Sequence, residues 1–207
     1  MTVTVETPEG VRSGSAVLES TMSEGVRYGD AGGIHYGLKG EAVAVDMPDG
    51  KTLFALLSSV ARGDPLGYHA RLFDMAILAD PALRSAYGLK PNKMPSWQES
   101  HPEIRRRNQA ATLAPELYPM LVTFRDIADP TSVEQVDPAD LAASFGAGVK
   151  LKRITLKITD DPVTIGIEKR LPKPIYKGFF NWDGNISTFK QSEALGIWDF
   201  TRWHGQI

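Results

Sequence analysis

The residues able to do chemistry in this chain are scattered aspartates, histidines, serines and two groups of basic side chains, so spacing decides what each could do. Asp126, Asp129, Asp137 and Asp140 are dense enough to raise calcium binding. An EF-hand loop, however, needs oxygen ligands at positions 1, 3 and 5 with glycine at 6, and these four do not fall that way. Opening turns and capping helices, partly as Asp-Pro pairs, accounts for all four. His35, His69, His101 and His204 stand singly, with no H-x-x-x-H or H-E-x-x-H pair to hold zinc. No serine sits in a G-x-S-x-G elbow, and Gly14-Ser15 falls inside a predicted strand, the wrong context for a nucleophile. With zero cysteines the chain has no disulfide, thiolate nucleophile or cysteine-bound metal. The sequence therefore supplies no catalytic, cofactor-binding or metal-binding set. It leaves open a hydrolase site assembled from separated histidines and aspartates.

Two basic groups, Arg105 to Arg107 and Lys150 to Lys157, have the residue types of a phosphate-contacting surface. Glu99, Glu103 and Glu116 flank the first, and the second is the polar face expected of a half-exposed strand, so both read as solvated surface. Gly29, Gly32 and Gly33 cluster without a helix start after them and make no phosphate cradle. The remaining candidate is aromatic. Phe179, Phe180, Trp182, Trp198 and Trp203 lie in a stretch of little periodicity, and such residues either join a core or fill a partner's pocket.

Composition bounds the class. The chain has 207 residues, 42% apolar and 23% charged, values of a globular protein able to bury a full core. A net charge of −2 gives no support for nucleic acid as a partner. No apolar run approaches the ~20 residues that span a bilayer. Met1 leads directly into strand-like TVTVET, an abrupt start that suggests a removed leader; membrane contact is expected only through such a leader.

The elements that must position these residues begin with two hairpins. Val3 and Val5 alternate with Thr2, Thr4 and Glu6, Pro8-Glu9-Gly10 turns, and Val11 to Leu18 returns. Glu41 to Leu57 repeats the pattern around Pro48-Asp49-Gly50. VTVETPEGV and VAVDMPDGK match too briefly to require duplication, and shared turn chemistry explains them. Ser23 to Gly40 reads as a glycine-rich loop with at most a short strand at Ile34 to Leu38. The middle third carries helix starts at Asp64-Pro65, Asp80-Pro81 and Ser100-His101-Pro102, giving expected helices near Leu66 to Ile77, Pro81 to Tyr87 and Pro102 to Leu113. Tyr118 to Phe124 reads as a buried strand, and Asp137 to Phe145 as a short helix stopped by Gly146. In Val149 to Ile158 the apolar phase slips at Lys152-Arg153, which predicts a β-bulge there. Val163 to Leu171 is expected back as the hairpin partner of that strand.

Taken together, TVTVETPEGVRSGSAV, GEAVAVDMPDGKTLFALL, the stretch LYPMLVTFRDIADPTSVEQVDPADLAASFGAGVKLKRITLKITDDPVT and GIEKRLP resemble an uncharacterised bacterial protein family. Its members begin with a short export or lipoprotein-type leader. The resemblance covers about three quarters of the chain and implies a location, the cell envelope or periplasm. It brings no activity, cofactor or catalytic residue with it. The expected architecture is an α+β domain over residues 1–172, an antiparallel hairpin-built sheet with the middle-third helices packed on it, and an aromatic extension over 173–207 packed on the same domain. A β-sandwich with helical insertions is the second architecture. The expected function is a non-enzymatic envelope protein that binds a protein partner or ligand; a structural or accessory subunit of a larger assembly is the other non-enzymatic reading. No cofactor and no nucleic acid is expected.

Overall fold

The computed structural model describes residues 1–24, 34–59, 84, 109–129, 132–171 and 200–202. In chain order the strands are β1 (Thr2–Thr7), β2 (Gly10–Ser15), β3 (Glu19–Glu24), β4 (Ile34–Glu41), β5 (Val43–Asp46), β6 (Thr52–Ser59), β7 (Ala111–Thr112), β8 (Pro119–Phe124), β9 (Val133–Gln135), β10 (Lys150–Leu156) and β11 (Thr201–Arg202). They form three antiparallel sheets, ordered β2-β1-β10-β7, β11-β4-β3 and β5-β6-β8-β9. Among the described residues, the one α-helix seen from end to end is α1 (Ala142–Phe145).

This corrects the α+β expectation: the chain is mostly β, and no helical layer packs on its sheets among the described residues. The reason is visible in how the sheets bury their apolar faces. Val3 and Val5 of β1, Ile154 and Leu156 of β10, Val43 and Val45 of β5, Leu53, Ala55 and Leu57 of β6 and Leu121 of β8 form one core, so two sheets cover each other. The opposite face of β6 and β8, carrying Phe54, Leu56, Val122 and Phe124, packs against Ile167, Leu171 and Phe200 in a second core. No apolar face is left there for helices to cover. Ala111 and Thr112, expected inside a helix, instead pair with Leu156 and Thr155. The expected helix at 66–77, that at 81–87 apart from the helical, buried Arg84, and most of that at 102–113 lie outside the described residues.

Local chemistry explains the hairpins. Thr7 Oγ1 donates to the Gly10 carbonyl across the first turn, and the Lys51 amide donates to Asp49 Oδ1 in the second. The two sheets converge at one edge, where β2 runs against β5. A Cβ built on Gly14 would collide with the Ala44 carbonyl, so only glycine permits that approach.

Val163 to Leu171 does not pair with β10. It runs as a strap, ending in a 3-10 turn over Ile167–Arg170. The Thr164 amide donates to the Val17 carbonyl at 3.2 Å while the Val17 amide donates to Thr164 Oγ1 at 3.0 Å. Glu41 Oε2 accepts from the Ile167 amide at 2.7 Å, and Arg170 pairs with Asp46. Ile167 and Leu171 are thereby seated on the second core. Of the expected extension over 173–207, only Phe200, Thr201 and Arg202 are described. Phe200 is fully buried with its ring edge-on to Phe54 at 5.6 Å, and Thr201 pairs with Glu41.

Candidate functional site

The basic group on β10 is built by a change of register. Thr4 lies opposite Arg153, and the next residue, Val5, lies opposite Leu151, so Lys152 is the extra residue of a bulge. In a regular strand Lys152 and Arg153 would point to opposite faces. Here the Lys152 ammonium reaches Glu6 Oε1 at 2.7 Å, which puts it on the face of Thr4 and Glu6, and Arg153 is in register with Thr4 on that same face. Lys150, opposite Glu6, shares it. The bulge therefore gathers Lys150, Lys152 and Arg153 on the solvent side, while Ile154 and Leu156 stay in the core. All three cations are exposed.

Pairing across the sheet adds a second feature. Ser15, Thr2, Thr155 and Thr112 fall in one row across β2, β1, β10 and β7. Ser13, Thr4 and Arg153 form the next row, and Val11, Glu6 and Lys150 the one after. Neighbouring strands stand ~4.8 Å apart, so the first row is a line of hydroxyls at nearly constant spacing. The Thr2 and Ser15 hydroxyls bond each other at 2.9 Å. Glu6 is the one carboxylate in these rows. The Lys152 ammonium holds it below the usual glutamate range, by its hydrogen bond and then its charge, with Lys150 adding a smaller pull. Arg153 has no ion-pair partner among the described residues.

The other candidates are placed as follows. Phe179, Phe180, Trp182, Trp198 and Trp203 lie outside the described residues, as do Arg105 to Arg107, His69, His101 and His204. His35 falls in β4. The aspartates serve turns: Asp126 Oδ1 accepts from the Ala128 amide at 2.9 Å and Asp137 Oδ1 from the Ala139 amide at 2.8 Å. Asp137 thus caps a turn rather than a helix, since α1 begins only at Ala142. Among the described residues no three histidine, cysteine or acidic side chains gather to hold a metal, and no helix is long and apolar enough to cross a membrane.

Thr2, Thr4, Ser13, Thr112 and Thr155 were not singled out from the sequence. The Val/Thr alternation of TVTVE separates the two sides of β1, but the rows need β1 beside β10, a pairing between distant segments. No family model, curated protein or solved structure matches the chain.

Proposed function

We propose that this protein is a non-enzymatic binding protein of the cell envelope, and that it meets its partner through the solvent face of the β2-β1-β10-β7 sheet. The observation that carries the reading is the bulge at Lys152, which places Lys150, Lys152 and Arg153 together beside in-register hydroxyls. A bulge that only relieved strain would not need three cations on one side of it. The side chains displayed are fixed charges and hydroxyls suited to holding a partner, and Ser15 turns its hydroxyl to Thr2 rather than to a base. The envelope location rests on the family resemblance of the sequence.

The partner is anionic, because three cations face one carboxylate that Lys152 already neutralises. The test is co-sedimentation of the full chain with isolated cell-envelope fragments at rising salt. Wild type is expected to sediment with them, and the Lys150→Glu/Arg153→Glu double variant to lose that association at least about tenfold, in the way charge-led binding does. Equal retention of both proteins would remove this face as the binding surface.

A further inference from the structure

We infer that the partner held by this face is a linear polysaccharide bearing carboxylates. The inference rests on the binding reading above and names its chemistry. Two observations meet here. The first is the hydroxyl line Ser15, Thr2, Thr155 and Thr112, joined by the exposed Ser13 in the adjacent row, where Thr4 is buried. A hydroxyl donates and accepts, as a sugar hydroxyl does, so a line of them at strand spacing can exchange hydrogen bonds with successive sugars of a chain lying across the strands. The second is the placement of the cations directly beside those hydroxyls. Arg153 shares a row with Ser13 and Thr4, and Lys150 lies in the next row. Arg153 is exposed and unpaired among the described residues, which leaves its planar fork for a carboxylate in two-point contact. Glu6, the group that would repel an acidic chain, is occupied by Lys152 at 2.7 Å.

The same residues fit other polyanions less well. Nucleic acid gains its affinity from many phosphate contacts and from bases stacked on aromatic rings, and these rows with the bulge residue Lys152 hold three cations and no ring. A lipid surface calls for apolar side chains to insert, and the rows offer Val11 alone, 60% exposed at the edge strand. Hydroxyls interleaved with a few charges are the complement of a sugar acid.

The experiment measures binding of the full chain to immobilised polygalacturonate, dextran sulfate, neutral dextran and duplex DNA at about physiological ionic strength. Expected is saturable binding to polygalacturonate, none to neutral dextran, and weaker binding to the sulfated polymer and DNA. Arg153→Gln is expected to weaken polygalacturonate binding by about tenfold, the scale of a lost charge-assisted pair. Thr112→Val/Thr155→Val keeps shape and charge but removes two hydroxyls, and should weaken it by about threefold or more. Unchanged thermal unfolding qualifies the valine variant; should it unfold early, Lys150→Gln reads the same face. Equal binding to all polyanions with no effect of the valines would overturn the sugar and leave an unspecific cationic surface. Failure of every polymer while envelope fragments still retain the protein would overturn the sugar and keep the binding reading. Failure of both would remove both.

Discussion

The two four-stranded sheets of this molecule are built from similar hairpins but bury themselves differently. In β5-β6-β8-β9, β6 is apolar on both sides: Leu53, Phe54, Ala55, Leu56 and Leu57 are all at most 1% exposed. One side faces the first core and the other faces Ile167, Leu171 and Phe200. In β2-β1-β10-β7, β1 puts Val3 and Val5 in the core and leaves Glu6 exposed and Thr2 half-buried, although Thr4 on the outer side is covered by its neighbours. A continuous apolar run marks a strand covered twice, and alternation marks one covered once. The difference teaches where to look for function. A twice-covered sheet has every position committed to packing, whereas a once-covered sheet keeps half of its positions available for a partner.

The largest test of that contrast is Phe54→Ala. It removes the ring at the centre of the Phe54, Phe124 and Phe200 cluster and should cost about 4 kcal/mol. A urea titration that finds less than about 1 kcal/mol would mean the second face is not truly closed. Next is Gly14→Ala, at the edge where the two sheets converge on the Ala44 carbonyl; overpacking there should cost about 2 kcal/mol. A neutral Gly14→Ala would show that the sheets can part at this edge. Asp137→Ala lies between β9 and α1, on the connection from one sheet to the other, and loses one exposed turn bond. It should lower the unfolding free energy by about 1 kcal/mol, and no change in midpoint would mean that the turn forms without its cap.

The smallest effect belongs to the open face. Lys152→Met should leave the unfolding midpoint almost unmoved, because surface ion pairs contribute little. The change should instead appear in titration. Glu6 has a folded pKa below its unfolded one, so its contribution is present above the unfolded value and fades as pH falls through the folded value. In Lys152→Met the Glu6 carboxyl resonance should titrate at higher pH than in wild type, and an unmoved midpoint would break the Lys152–Glu6 contact.

What could be read from the sequence follows the range of each signal. The β1–β2 and β5–β6 hairpins were legible because Pro8-Glu9-Gly10 and Pro48-Asp49-Gly50 encode their turns within a few residues. The slip at Lys152-Arg153 was legible for the same reason, since the apolar phase on either side of it is local. The partner of β10 was not. Adjacent Val163 to Leu171 was the nearest apolar stretch, yet β10 pairs with β1 and β7, and Ile165 ends 61% exposed on the strap. The expected helix over Asp137 to Phe145 shrank to α1 because Asp137 holds the Ala139 amide in a turn of its own, while Asp140 accepts from the Ala143 amide in the first turn of α1. For the candidate site, the cations were visible as a group but read as a solvated polar face. Their hydroxyl neighbours became meaningful only once β1 was set beside β10.

That long-range pairing also sets the order in which the chain can assemble. The β1–β2 hairpin closes on itself, but Val3 meets Ile154, which leaves the ribosome only after most of the chain. Until then the valine side of the hairpin has only the β5–β6 hairpin to rest on and lacks its β10 partner. Pairing of this kind carries a large loop-closure cost and folds slowly, with sticky surface exposed in the interval. The threonines and Glu6 on the other side of β1 keep that waiting hairpin soluble. The polar face thus guards the nascent protein before it serves the finished one.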